Sequence, residues 1–267
     1  METQMGIDLS KIFEKIEVID LSVMVGNEWP CNWPTIMGFH TSDWNKHDSW
    51  RGDFHTRYMI MEEHTGTHMD APCHFIPPPT SGLPHSGPAG EITVEKVPIN
   101  QTMGPAAVID CRSLRGQAKN GESPIITLEF LQEWEKENGK VKKGEAVLFY
   151  TGWTDDTYAK MPKGKAFGMD VIMTKIAPGW PAPDVLVMEY LASAGVGVIG
   201  VDTGSMGSLQ DDAAAHHAGL KHGMVFIERL TNLGRLPSRG AAFIFLGLKL
   251  EGGTGSAGRA IALIEKS

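Results

Sequence analysis

The sequence predicts a single α/β domain, and three observations carry that prediction. Segments with strand periodicity alternate with segments of helix periodicity along the chain, no linker-like stretch divides them, and 42% of the 267 residues are hydrophobic. That composition suffices for one substantial core.

Taken in order, residues 9–16 read as a short amphipathic helix and residues 17–25 as a strand with alternating Val and Ile. Periodicity then stops over residues 26–53, where Trp29, Trp33, Trp44 and Trp50 mix with Pro30, Pro34, His40 and His47. This predicts a long, aromatic-rich loop insertion. Residues 57–63 resume strand character and lead directly into His64. The proline-rich stretch 76–90 belongs to neither helix nor sheet, and reads either as a solvated connector or as a wall beside the following site.

Residues 105–111 form a buried strand candidate, and Thr127 opens a helix whose Leu128, Leu131 and Trp134 share a face. Residues 145–153 read as a strand and 184–193 as a helix that ends at Gly195. Residues 196–201 are too short and apolar for anything but an interior strand. An Ala-rich helix over 211–223 precedes strands over 224–230, 241–250 and 259–264. No internal repeat is visible.

Charge and cysteine content narrow the function. Twenty-four Lys and Arg against 32 Asp and Glu leave a net charge of -8, so nucleic acid and anionic membrane surfaces are not expected partners. The first residues lack a signal pattern and no run is long enough to span a membrane, which predicts a cytoplasmic protein. Three cysteines, Cys31, Cys73 and Cys111, form no CxxC pair, so any metal is expected on nitrogen and oxygen donors.

The densest chemistry lies in His-Thr-Gly-Thr-His-Met-Asp-Ala-Pro-Cys-His, residues 64–74. Thr65-Gly66-Thr67 is poor helix sequence, and on a straight strand His64 and Asp70 would stand roughly 20 Å apart at ~3.3 Å per residue. Ligands of one ion sit far closer. The chain is therefore expected to fold back within the motif, with Gly66 and Pro72 as the bends. Imidazoles and a carboxylate suit Zn²⁺, Mn²⁺ or Fe²⁺, and few ligands from one loop leave positions open for water or substrate. The competing reading is that these are ordinary histidines of a chain that has ten. Cys73 beside His74 invites a Cys-His nucleophile, which is disfavoured because adjacent side chains seldom face one another.

The chain resembles the cyclase family of metal-dependent hydrolases, which includes enzymes of the kynurenine formamidase, isatin hydrolase and trans-dienelactone hydrolase types. Its pattern His-x-Gly-Thr-His-x-Asp-x-Pro-x-His is met by His64, Gly66, Thr67, His68, Asp70, Pro72 and His74. A later histidine twelve residues before a strand-end glutamate matches His216 and Glu228, and Thr254-Gly255-Ser256 is similar to a C-terminal landmark. Two departures stand in loops: Gly204-Ser205 where the family has Pro-Ser, and Ala257 where it has proline.

The resemblance implies a swivelling β/β/α-type fold with a mixed central sheet flanked by helices. It implies one or two divalent ions, Mn²⁺ or Zn²⁺, with His64, His68 and Asp70 holding the first and Asp70 bridging to a second on His216 and Glu228. His74, four residues beyond Asp70, is expected too far along the loop to ligate the same ion, and inherits the role of general acid/base. Trp29, Trp33 and Phe39 are candidates for stacking on a planar substrate ring or for packing an oligomer interface. The expected activity is opening of a small cyclic amide or lactone, isatin-like, by metal-bound hydroxide, giving a carboxylate product. An aryl-formamide hydrolase of the kynurenine formamidase type, a polyketide-type cyclase and a non-catalytic metal-binding protein are the alternatives. A homodimer or homotetramer is implied.

Overall fold

The computed structural model describes residues 11–48 and 50–266, so residues 9 and 10 of the expected first helix lie outside the described residues. The chain begins with α1 (Ile12–Lys15), β1 (Ile16–Asp20), β2 (His40–Asp48), β3 (Gly52–Ile60) and β4 (His68–Asp70). It continues through β5 (Met103–Asp110), β6 (Ile125–Ile126), α2 (Leu128–Asn138), β7 (Ala146–Tyr150) and α3 (Trp153–Thr157). The last elements are β8 (Ala182–Pro183), α4 (Val185–Ser193), β9 (Val198–Val201), α5 (Asp212–Leu220), β10 (Val225–Glu228), β11 (Arg239–Gly247) and β12 (Gly255–Glu265).

Eight strands form one mixed sheet in the order β1-β12-β11-β5-β7-β9-β10-β4, and β4 also pairs with β12, which closes the sheet on itself. The stretch β5, β7, β9, β10 is parallel, while the other pairings are antiparallel. Parallel strands buried on both faces need apolar residues at every position, and Ala146–Tyr150 and Val198–Val201 supply such runs.

Alternate side chains divide between two cores. Val147, Phe149, Ile199, Val201 and Phe226 point outward beneath α2, α4 and α5, whereas Leu148, Val198, Val225, Ile227 and Met69 fill the closed interior with Phe243 and Ala262. Each large apolar side chain so withdrawn contributes roughly 1.5–3 kcal/mol. Helices α2 and α4 begin where the sequence predicts, because Thr127 and Asp184 accept the backbone N–H of Phe130 and Val187.

The aromatic stretch 26–53 is only partly a loop. Residues 40–48 form β2, which pairs with β3 as a separate two-stranded hairpin. Its reach into sheet went unread because most of β2 and β3 is exposed, so the apolar alternation that marks a half-buried strand is absent.

Candidate active site

Register explains the site. Strand β4 lies antiparallel to β10 with His68 opposite Glu228 and Asp70 opposite Phe226. Since Met69 and Ile227 enter the closed core, His68, Asp70 and Glu228 must emerge together on the other face, the face covered by α5. Helix α5 places His216 there, with its Nε2 3.3 Å from Glu228 Oε1 and 3.6 Å from Asp70 Oδ2.

The bends fall where expected. Gly66 has φ of +66°, and a Cβ there would meet Val25 at 2.5 Å. Pro72 opens a single 3-10 turn, Pro72–His74. The two threonines of the motif fix the loop: Thr65 Oγ1 donates to Glu62 O, and Thr67 Oγ1 donates to Arg229 O at 2.7 Å. His64 then returns to Asp70, its Nδ1 2.7 Å from Oδ1.

The histidines are oriented by partners behind them. His68 Nδ1 is 2.8 Å from Gly66 O and His216 Nδ1 is 2.7 Å from Asp212 O, which turns each Nε2 toward the carboxylates. Glu228 Oε1 accepts from the Met206 N–H at 2.6 Å. His68, Asp70, His216 and Glu228 are all buried.

Electrostatics follow from that burial. Burial works to raise the Asp70 pKa, but the charge of His64 and hydrogen bonds from His216, His64 and His68 win, holding it well below the usual range. His64 and His216 shift upward against their own burial, His64 through Asp70 and His216 through Asp70 and Glu228. Burial pushes His74 down to about 4, aided by His64, His216 and His68 and opposed by Asp70, so His74 is a neutral acceptor at neutral pH.

Donor atoms of His68, Asp70 and Glu228 lie within 4.8 Å of one another, and so do those of His64, Asp70 and His74. Asp70 belongs to both groups. Two buried carboxylates ringed by oriented imidazoles are a donor set that fits hard to borderline divalent cations. His74, expected too far along the loop for the same ion, stands close to this cluster. The Pro72–His74 turn curls the chain, and its ring centroid lies 4.0 Å from that of His64.

The cavity at this cluster measures about 220 Å³ and is also lined by Glu62, Phe75, Ser205, Asp212 and Arg229. A second cavity of about 240 Å³, mostly apolar, adjoins it, and Trp33, Ile36, Gly204 and Arg229 line both. Trp33 meets Trp180 edge-on at 6.4 Å, and Trp29 lines the second cavity while stacking on Tyr158 at 5.5 Å. Phe39 is placed elsewhere. It lines a third, more open cavity with Val25, Thr41 and Arg57, because the chain turns into β2 at His40.

Sequence reasoning missed Arg229, Asp212 and the apolar wall contributed by Phe167, Met169, Ile172 and Trp180, whereas Gly204 and Ser205, singled out there as a departure, do line the site. The wall comes from irregular turns without a period to read. Ser205 donates to Asp212 Oδ1 at 2.6 Å, a pairing that no spacing rule announces.

Comparison with known proteins places these features. The profile of a family described as "Putative cyclase" matches residues 8–208. The chain is 28% identical over 276 residues to an isatin hydrolase of Roseibium aggregatum, covering 98% of this chain and 97% of the relative. It is 27% identical to a kynurenine formamidase of Bacillus cereus, covering 92% and 96%. The structure of isatin hydrolase A from Labrenzia aggregata bound to benzyl benzoate superposes with a TM-score of 0.79 at 26% identity, covering 96% and 97%.

Proposed function

The chain belongs to the cyclase family, and from that premise we propose that it is a divalent-metal-dependent hydrolase that opens a small cyclic amide or lactone, isatin-like, to a carboxylate product. The carrying observation is the position of Asp70, shared between two groups of donors in a cavity that adjoins an apolar, tryptophan-walled one. His64, His68 and Asp70 would hold the first ion in this reading, and His216 and Glu228 would hold a second together with Asp70. A divalent ion there supplies a Lewis acid that polarises the carbonyl and brings the pKa of water to ~7.

The chain's own residues do the rest. Trp33, which lines both cavities, seats the flat ring with its carbonyl toward Asp70. Neutral His74 takes the proton of the attacking water and returns it to the departing nitrogen or oxygen. Asp212 and Gly66 carbonyls keep His216 and His68 in the required tautomers.

A second reading, hydrolysis of a linear aryl-formamide, rests on Glu228, whose carboxylate faces both His68 and His216. Manganese or zinc suits the donor set. A cytoplasmic setting suits the free thiols, and a homodimer or homotetramer suits the exposed Trp44, Trp50, Tyr58 and Ile60 of the hairpin.

The test is steady-state hydrolysis of isatin, a dienelactone and N-formylkynurenine by chelated protein and by protein reloaded with Mn²⁺ or Zn²⁺. Metal-dependent ring opening is expected to exceed formamide cleavage. The reverse order favours the second reading, and absence of metal-dependent turnover on all three removes both.

A further inference from the structure

Arg229 departs from the pattern of the other arginines in the body of the protein. Arg112, Arg115, Arg235, Arg239 and Arg259 each pair with a carboxylate at the surface or its margin. Arg229 is 3% exposed, is the only buried lysine or arginine among the described residues, and pairs with no carboxylate among them. Its Nη1 donates to the carbonyls of Cys31 and His64, and its Nε is buried with no hydrogen-bond partner. An arginine is seldom buried unpaired, because its desolvation is recovered only by an opposite charge.

The position of this charge is as informative as its lack of a partner. Arg229 lines the wall common to the apolar cavity and the Asp70 cluster, beside Trp33 and Gly204. Its backbone is held at a φ of +56°, with its N–H on Thr203 O and its carbonyl on Thr67 Oγ1, so the direction of its side chain is fixed from both sides. With Nη1 committed to two carbonyls and Nε buried, a fixed, dry guanidinium offers Nη2 and its positive charge for a charge-assisted contact with a carboxylate.

We propose that Arg229 is the anion anchor of the substrate site, and that the preferred substrate is a ring amide or lactone bearing a carboxylate apart from the bond that is cleaved. This rests on the hydrolytic reading above. The ring lies against Trp33 and Trp180, the scissile carbonyl faces Asp70, and the carboxylate fills the place of the counter-ion that Arg229 lacks.

Two measurements test it. In the first, kcat and KM of the metal-loaded enzyme are measured for isatin and for an isatin carrying a ring carboxylate, in wild type and in Arg229→Met. The wild type is expected to favour the carboxylate, and the variant to lose that preference by roughly 10- to 100-fold, chiefly in KM, as loss of a charge-assisted pair requires. Equal losses on both substrates, or a wild-type preference for neutral isatin, overturn the proposal.

The second needs neither the variant nor turnover. Benzoate and benzamide are titrated into wild-type protein while tryptophan fluorescence is followed. Tighter, salt-sensitive binding of benzoate supports the anchor, and equal affinity overturns it. If no ring amide is hydrolysed while benzoate still binds preferentially, the hydrolytic reading falls and the anion site stands.

Discussion

His64 depends on an atom that is not there. A Cβ built on Gly255 would stand 2.4 Å from the His64 ring, so the absence of a side chain is what lets the imidazole reach Asp70. Gly255→Ala is expected to displace His64 and weaken metal binding at least tenfold, on the order of the loss of one ligand or its support. Calorimetric metal titration reads this, with circular dichroism unchanged; full affinity in the variant would refute it. His74→Ala tests the neighbouring role. It is expected to lower kcat by roughly 100-fold or more, the range of a general acid/base, while bound metal per chain is retained. Loss of metal in step with activity would instead make His74 a ligand, which its closeness to His64 and Asp70 allows. The motif residues were legible because their types and spacing are rare. Arg229 was not, since one arginine beside a strand-end glutamate looks like any surface pair until its burial is seen.

At the scale of elements, α2, α4 and α5 and the strands β5, β7, β9 and β10 announced themselves through caps and apolar runs, whereas α3, the short pair β6 and β8, and β4 did not. Three residues give no period, and its identity as a strand comes only from β10 and β12 on either side. A buried carboxylate joins other elements in a similarly hidden way. Asp202, just beyond β9, accepts the Thr151 N–H and hydroxyl at 2.8 and 2.6 Å and the Gly152 N–H at 2.7 Å, tying the end of β7 to the start of α3. Burial outweighs these bonds and pushes its pKa from 3.8 up to about 7. The folded state thus holds this proton more tightly than the unfolded chain. The stability it contributes is fully present below the ordinary value of 3.8 and is lost as pH rises through about 7. Urea unfolding of the wild type should weaken across that window, and Asp202→Asn should flatten the trend. Equal slopes in the two proteins would show that Asp202 does not titrate there.

For the whole molecule, closure and chemistry are one event. The strand that shuts the sheet, β4, is the strand that carries His68 and Asp70, and its partners β10 and α5 arrive from the far part of the chain with Glu228 and His216. A cation held between them, as proposed above, would bind the folded arrangement and have no counterpart in the unfolded chain, so its binding would add to global stability by mass action. Without it, the charge of buried Asp70 and Glu228 is offset by imidazoles whose pKa values are raised for that reason, His64 and His216. The protein should therefore stay folded when stripped of metal, but at lower stability. At free metal about 100-fold above Kd the difference is ~2.7 kcal/mol, or roughly 5–10 °C in melting temperature for a chain of this size. Scanning calorimetry with chelator and with added Mn²⁺ or Zn²⁺ measures it. The same scans on Glu228→Gln divide the effect: if His216 and Glu228 hold a second ion, the variant keeps only part of the metal-dependent rise, whereas an undiminished rise would assign all of it to His64, His68 and Asp70. No rise in the wild type would mean that β4 closes the sheet without a cation, and that the donor cluster is held together by its hydrogen bonds alone.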